Sequence, residues 1–419
     1  MNRRGALVTC AVCSLLVLTG CTRDNPQGQP TGAEASPWSS VQASGQVRAG
    51  LSKPRSASSP VAGPASTDSR GASPLPGMPS PLSATDVWAA DRPNRLSRVV
   101  HGMPYRIYVP NSIDNTVTII DPRTYKVMRT IRVGHEPQHV VPSWDLRTLW
   151  VNNDLGNSVT PLDPKTGHVG RPLAVHDPYN LYFTPDGKHA IVMASNDHLI
   201  VFADPHTMVV QKQVPAGCAG VNHADFSADG RYFLVSCEFS GDVVKVDTER
   251  ESVVGRIKLP PRSGGMPPKP QDVKLSPDGK VFYVADMMSN GVWLIDGVRM
   301  RVIGFVHTGR GAHGLYVTRD SRDLIISNRD AGSISLLAFA SRRVVATWHI
   351  PGGGSPDMGG LSPDGTVLWL SGRYGSEVYA ISMRDGQLIA RIHVGRGPHG
   401  LAVFPQPGRY SLGHTGVFR

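Results

Sequence analysis

Polar residues recur at matching places along this chain, and their types are those that bind ligands. When the internal repeats are aligned on their turns, Gln138, Tyr179, Asn222, Gln271, His313, Asp357 and His399 occupy equivalent positions. The positions that follow hold His139, Asn180, His223, Asp272, Gly314, Met358 and Gly400. Four of these residues are histidines and two are aspartates. An imidazole offers a lone pair and changes charge near neutral pH, and a carboxylate accepts hydrogen bonds, so the set suits a metal ion, an anion or a polar ligand. His139, Asn180, His223, Gln271, Asp272, His313, Asp357 and His399 are the candidate ligand-binding residues. The competing expectation is that they only bond water and neighbouring loops, as polar groups at a wet channel mouth do. No catalytic or metal-ligating residue is assigned. The chain has no C-x-x-C-H haem attachment and no G-x-S-x-G nucleophile elbow, and no motif implies a cofactor.

The cysteines narrow the chemistry further. Of five, Cys10 and Cys13 lie in an apolar leader and Cys21 ends it, which leaves Cys218 and Cys237 as a possible disulfide. Arg329, Asp330, Arg373, Tyr374, Glu238 and Phe239 fall in loops that would rim the same mouth. Trp150, Trp293, Trp348 and Trp369 fall in strand positions and are expected in the core between sheets.

The elements that must position these residues are strands. Pro185-Asp186-Gly187, Ala228-Asp229-Gly230, Pro277-Asp278-Gly279 and Pro363-Asp364-Gly365 each separate two β-rich runs, with glycine supplying the positive φ of a tight hairpin turn. Degenerate copies stand at Trp144-Asp145-Leu146, Arg319-Asp320-Ser321 and Gln406-Pro407-Gly408. Successive turns are 41 to 49 residues apart, and a period near 42 with about four short strands marks a propeller blade. β-branched runs closing on Asp keep the same period, as at Val117 to Asp121, Val159 to Asp163 and Val243 to Asp247. The one long spacing contains the Pro-rich insert Pro260 to Pro270, which enlarges a loop. No amphipathic helical pattern follows Asn94.

The expectation is an all-β, seven-bladed β-propeller of four-stranded blades. Tyr105 to Val133 holds only three strands of a blade, and Gly400 to Phe404 is an inner strand with no blade after it. Joining them lets N- and C-terminal strands share one blade and hides an open edge. Arg409 to Gly413 competes with Arg106 to Asn111 for the second-strand place in that blade.

Tyr108-Val109-Pro110-Asn111, followed by Thr116 to Asp121, resembles the repeat of the YVTN β-propeller family. Ser276 to Asp286, reading Ser-Pro-Asp-Gly-Lys-Val-Phe-Tyr-Val-Ala-Asp, is similar to that family's consensus. The resemblance spans roughly residue 100 to the end and implies the fold far more than a function, since the family consists mostly of uncharacterised envelope proteins. Propellers of related architecture include lactonases, nitrous oxide reductase and the haem-binding propeller of dissimilatory nitrite reductases; fold does not choose among them.

Arg3 and Arg4 precede an apolar run, Gly5 to Thr19, too short to remain as a membrane span, and Leu18-Thr19-Gly20-Cys21 matches a bacterial lipobox. Residues 1–20 therefore read as a lipoprotein signal peptide with lipidation at Cys21. Residues 21–95, rich in Ser, Pro, Ala and Gly, read as a disordered tether, with Val87 and Trp88 either docking locally or, on the simpler reading, not docking, and 96–419 as the propeller. Net charge is +10, but charged residues are only 18%, below the roughly 25% usual for soluble domains, which argues against a nucleic-acid partner. The expected protein is exported and monomeric, held by lipid at the outer face of the cell membrane or in the periplasm, and binds an envelope protein or polymer without catalysis. The alternative is a metal- or cofactor-dependent enzyme, a lactonase-like hydrolase or a redox protein, using the His-rich mouth.

Overall fold

A computed structural model of the chain describes residues 73–262 and 265–419. The signal peptide, Cys21 and the first part of the tether lie outside the described residues. Twenty-eight strands form seven four-stranded antiparallel sheets, and no α-helix is present among the described residues. Blade 1 is the shared one: Ala402–Phe404 is its inner strand, followed by Arg106–Asn111, Thr116–Asp121 and Lys126–Arg132. Ile107 pairs with Val403 in register, so Arg106–Asn111 takes the second-strand place. Blades 2 to 7 run consecutively, with inner strands Pro137–Pro142, Pro178–Phe183, Val221–Phe226, Pro270–Leu275, Ala312–Val317 and Pro356–Leu361.

Local chemistry shapes each blade. At the inner hairpin a Ser or Thr hydroxyl donates to the Asp two residues on, as from Ser227 to Asp229 and from Ser276 to Asp278, both at 2.6 Å. Gly230 and Gly279 close these turns at φ near +70°, a region glycine enters without steric cost. Middle strands are covered on both faces by neighbouring sheets, so Phe282–Asp286 and Leu149–Asn153 are buried throughout. Outermost strands such as Arg343–His349 alternate between exposed and half-buried. Trp150, Trp293 and Trp369 lie in the core, whereas Trp348, on that outermost strand, is only half-buried.

The described segments on either side of the blades, 73–95 and 405–419, depart from expectation. Residues 73–95, assigned to the tether, pack on the face that carries the inner hairpin turns. Backbone amides of Leu75, Val87 and Asn94 donate to the carbonyls of Asp229, Pro277 and Pro363. Trp88 is 3% exposed, its Nε1 donates to the Leu275 carbonyl at 3.0 Å, and the Arg419 guanidinium lies 3.8 Å from its ring centre. The segment has no repeating element of its own, so its few apolar residues find partners only on the assembled ring. The last residues, 405–419, do not take the second-strand place for which Arg409 to Gly413 competed. They run up the channel beside blade 3, where Phe183 N donates to Leu412 O and His414 N donates to Leu181 O. Leu412 and Val417 are buried there, Phe418 is buried among residues of blades 1 and 2, and Arg419 pairs with buried Asp225 at 2.9 Å.

Candidate functional site

The candidate residues stand where each inner strand begins, and a common irregularity aims them at the axis. In blades 2 to 7 the pairing of inner and second strands slips at this point, between Pro137 and His139, Pro178 and Asn180, Val221 and Ala224, Pro270 and Val273, Ala312 and Leu315, and Pro356 and Gly359. Such a bulge leaves residues without a ladder partner and redirects their side chains. Gly400, just before the blade 1 inner strand, makes room, because a Cβ there would overlap the His139 ring.

The result is a closed chamber of imidazoles. His139 lies against His399 (ring centres 4.8 Å apart) and His223 (5.7 Å), His223 against His313 (6.1 Å), and His313 against His399 (6.0 Å). A fifth ring, His414 from the C-terminal tail, packs against this group at 4.9 Å from His223 and 5.3 Å from His139. All five are buried, and burial together with nearby cations holds every one well below the ordinary imidazole range; His139 is pushed down to about 3. They are neutral at physiological pH. Tyr179 sits beside three of them, 5.3 Å from His139.

Hydrogen bonds orient some rings and leave others bare. His139 Nδ1 lies 2.8 Å from the Tyr179 carbonyl, which accepts its proton, and His399 Nδ1 lies 3.2 Å from the Gln138 carbonyl. His139 Nε2, both nitrogens of His223 and His414 Nε2 are buried without a partner. His313 and His399 flank Asp357 at 3.1 and 3.6 Å, and Arg329 Nε donates to Asp357 Oδ1 at 2.9 Å. Burial raises the Asp357 carboxyl even beside that cation.

Six of the eight candidates meet in or beside this chamber: His139, His223, His313, His399, Asp357 and Asn180, whose Nδ2 donates to His414 Nδ1 at 3.0 Å. Asp272 stands at its edge, 3.7 Å from His414 Nε2, its carboxyl pushed up to about 6 by burial against the pull of Lys274. Gln271 does not join; its amide donates to the Lys269 carbonyl. Arg329 and Arg373, expected at the rim of the mouth, are tied to neighbouring blades: Arg329 bonds Asp357, and Arg373 Nη1 donates to the Gly397 carbonyl at 3.2 Å. Glu238 accepts from Asn222, while Phe239, Tyr374 and Asp330 are exposed. Cys218 and Cys237 are joined, with Cα atoms 6.0 Å apart, at the mouth side of blade 4. His135-Glu136-Pro137-Gln138-His139 spells H-E-x-x-H, but that motif needs one helical face. Here Pro137 opens a strand, His135 is exposed and His139 is buried.

His414 was invisible to repeat alignment because the tail has no repeat partner. The available signal was composition: Tyr410, Leu412, Val417 and Phe418 in the last ten residues are too apolar for a frayed end.

Seven four-stranded blades around a polar chamber define the class as a seven-bladed β-propeller. The sequence matches the YNCE-like beta-propeller family over residues 94–409, and the chain belongs to that family. No curated protein matches it. Among solved structures it is similar to a functionally unknown protein from Desulfotomaculum acetoxidans (TM-score 0.59, 15% identity, 72% of this chain and 99% of that one). It is also similar to Kuenenia stuttgartiensis hydrazine synthase (TM-score 0.53, 22% identity, 62% and 87%). A third is the dihydro-heme d1 dehydrogenase NirN in complex with DHE (TM-score 0.53, 15% identity, 78% and 83%). At these identities the likeness is one of fold.

Proposed function

We propose that this chain is an exported, lipid-anchored binding module of the cell envelope, non-catalytic, whose ligand is held in the imidazole chamber beneath the channel mouth. The carrying observation is the set of buried ring nitrogens without partners. A buried polar group left unsatisfied costs about 1–3 kcal/mol, so a fold that keeps several in one place keeps them for something they bind. The leader with its lipobox and the bridged Cys218–Cys237 pair both suit an oxidising, extracytoplasmic compartment.

His223 separates a binding role from a structural one. Leucine is close to histidine in volume and needs no hydrogen bonds, so in ligand-free protein His223→Leu should raise stability by about 1–3 kcal/mol. A clear fall in melting temperature would make the ring structural and remove the basis for the site. Cys21→Ser should move the protein from the membrane to the soluble fraction; unchanged membrane association would refute lipid anchoring.

The enzyme reading rests on the two triads of potential ligands, His139–His223–His414 and His313–Asp357–His399, each with donor atoms within 4.8 Å of one another. Metal content with no hydrolytic or redox turnover would favour the binding module.

A further inference from the structure

We propose that His139, His223 and His414 together bind one divalent first-row transition-metal ion of the copper, nickel or zinc type. This deepens, and rests on, the reading of the chamber as a binding site. One nitrogen from each ring lies within 4.8 Å of the others, and tetrahedral coordination at about 2.0–2.1 Å closes that spacing by up to roughly 1.5 Å.

His139 is oriented as metal-bound imidazoles are. Its Nδ1 proton is given to a backbone carbonyl, which leaves Nε2 as a bare lone pair facing the chamber. His223 has both nitrogens free, so either can turn its lone pair inward without losing a bond. His414 is held by Asn180 at Nδ1, and its Nε2 faces the chamber without a partner. Because Nδ1 accepts from Asn180 Nδ2, the metal-free ring carries its proton on Nε2; ligation there moves that proton to Nδ1 and gives up the Asn180 bond.

The donor set chooses the class of ion. Three neutral nitrogens, with no thiolate in reach because Cys218 and Cys237 are bridged, suit borderline ions and fall far short of the six or more oxygens that Mg²⁺ or Ca²⁺ requires. Asp272, 3.7 Å from His414 Nε2, places one carboxylate at the edge to balance charge. The second triad already has a cation, since Arg329 sits on Asp357 and its Nη2 reaches His313 Nε2. The bare triad is therefore the one that accepts an ion.

Two of the ligands come from blades 2 and 4 and the third from the C-terminal tail, so the site exists only when the tail lies in the channel. The test uses the folded mature chain carrying Cys21→Ser, stripped with chelator and loaded separately with Zn²⁺, Cu²⁺ and Mg²⁺. Bound metal is counted after gel filtration, and a Co²⁺-loaded sample is read for the visible absorption of a low-coordinate site. The expected result is one equivalent of Zn²⁺ or Cu²⁺, no retained Mg²⁺ and a raised melting temperature. His223→Leu and His414→Leu should each weaken binding at least 100-fold, whereas His206→Ala, at an exposed turn, should not. Uptake that ignores both chamber substitutions would overturn the proposal. So would no uptake by folded protein. If uptake is absent while His223→Leu still stabilises, only the metal is wrong and the chamber remains a site for another ligand. If His223→Leu destabilises, both readings fall.

Discussion

Trp88→Ala isolates what the N-terminal strap contributes to the propeller. The indole is almost wholly buried, hydrogen-bonds a blade 5 carbonyl and carries the Arg419 guanidinium on its face. An aromatic of this size buries about 150–250 Å², worth roughly 4–6 kcal/mol at about 25 cal/mol per Å². Replacing a buried Trp with Ala costs about 3–5 kcal/mol once the site relaxes. A folded unit of about 350 residues unfolds with roughly 2.1 cal/mol/K per residue, or about 0.7 kcal/mol/K. The substitution should therefore lower the melting temperature by about 4–7 °C. Scanning calorimetry on a chain beginning at residue 73 provides the comparison. A chain beginning at residue 96 should lose at least as much, since Leu75, Val87 and Ala90 leave with the indole. Trp88→Phe should recover most of the loss and forfeit only the Nε1 bond, about 0.5–1.5 kcal/mol. If Trp88→Ala and the shorter chain both melt within about 1 °C of the reference, the strap is not docked and residues 73–95 belong to the tether.

Two further outcomes follow from the channel. The native fold keeps His139 neutral down to about pH 3, but the unfolded chain protonates it near 6.5. The unfolded state then holds more protons, so this ring removes stability as pH falls; relative to His139→Leu, metal-free wild type should lose about 2 kcal/mol between pH 7 and 5. Denaturant melts at both pH values check this, and a pH-independent difference would contradict a buried neutral ring. Arg419→Ala strips a buried partner from Asp225, whose other oxygen still accepts from Leu275 N, and should cost about 3–5 kcal/mol in urea unfolding. A loss below 1 kcal/mol would mean the tail does not lie in the channel.

Sequence alone determined the blades, because a blade is a local object. Its turns, β-branched runs and period near 42 are written within about forty consecutive residues, and leftover strands at the two ends point to the closure that Ile107 and Val403 make. It also placed four of the five chamber histidines, since repeat alignment transfers one strand's start to the next. Tertiary structure decided everything that joins distant residues without a period. Trp88 meets Leu275 across 187 residues, and His414 meets Asn180 across 234, from segments that belong to no repeat. Arg329 reads as a solvated loop residue until Asp357 of the next blade is brought against it. Whether a histidine has a partner is a property of the closed ring: the inner-strand bulges aim the side chains, and only the surrounding blades and the returning tail determine which nitrogens stay bare.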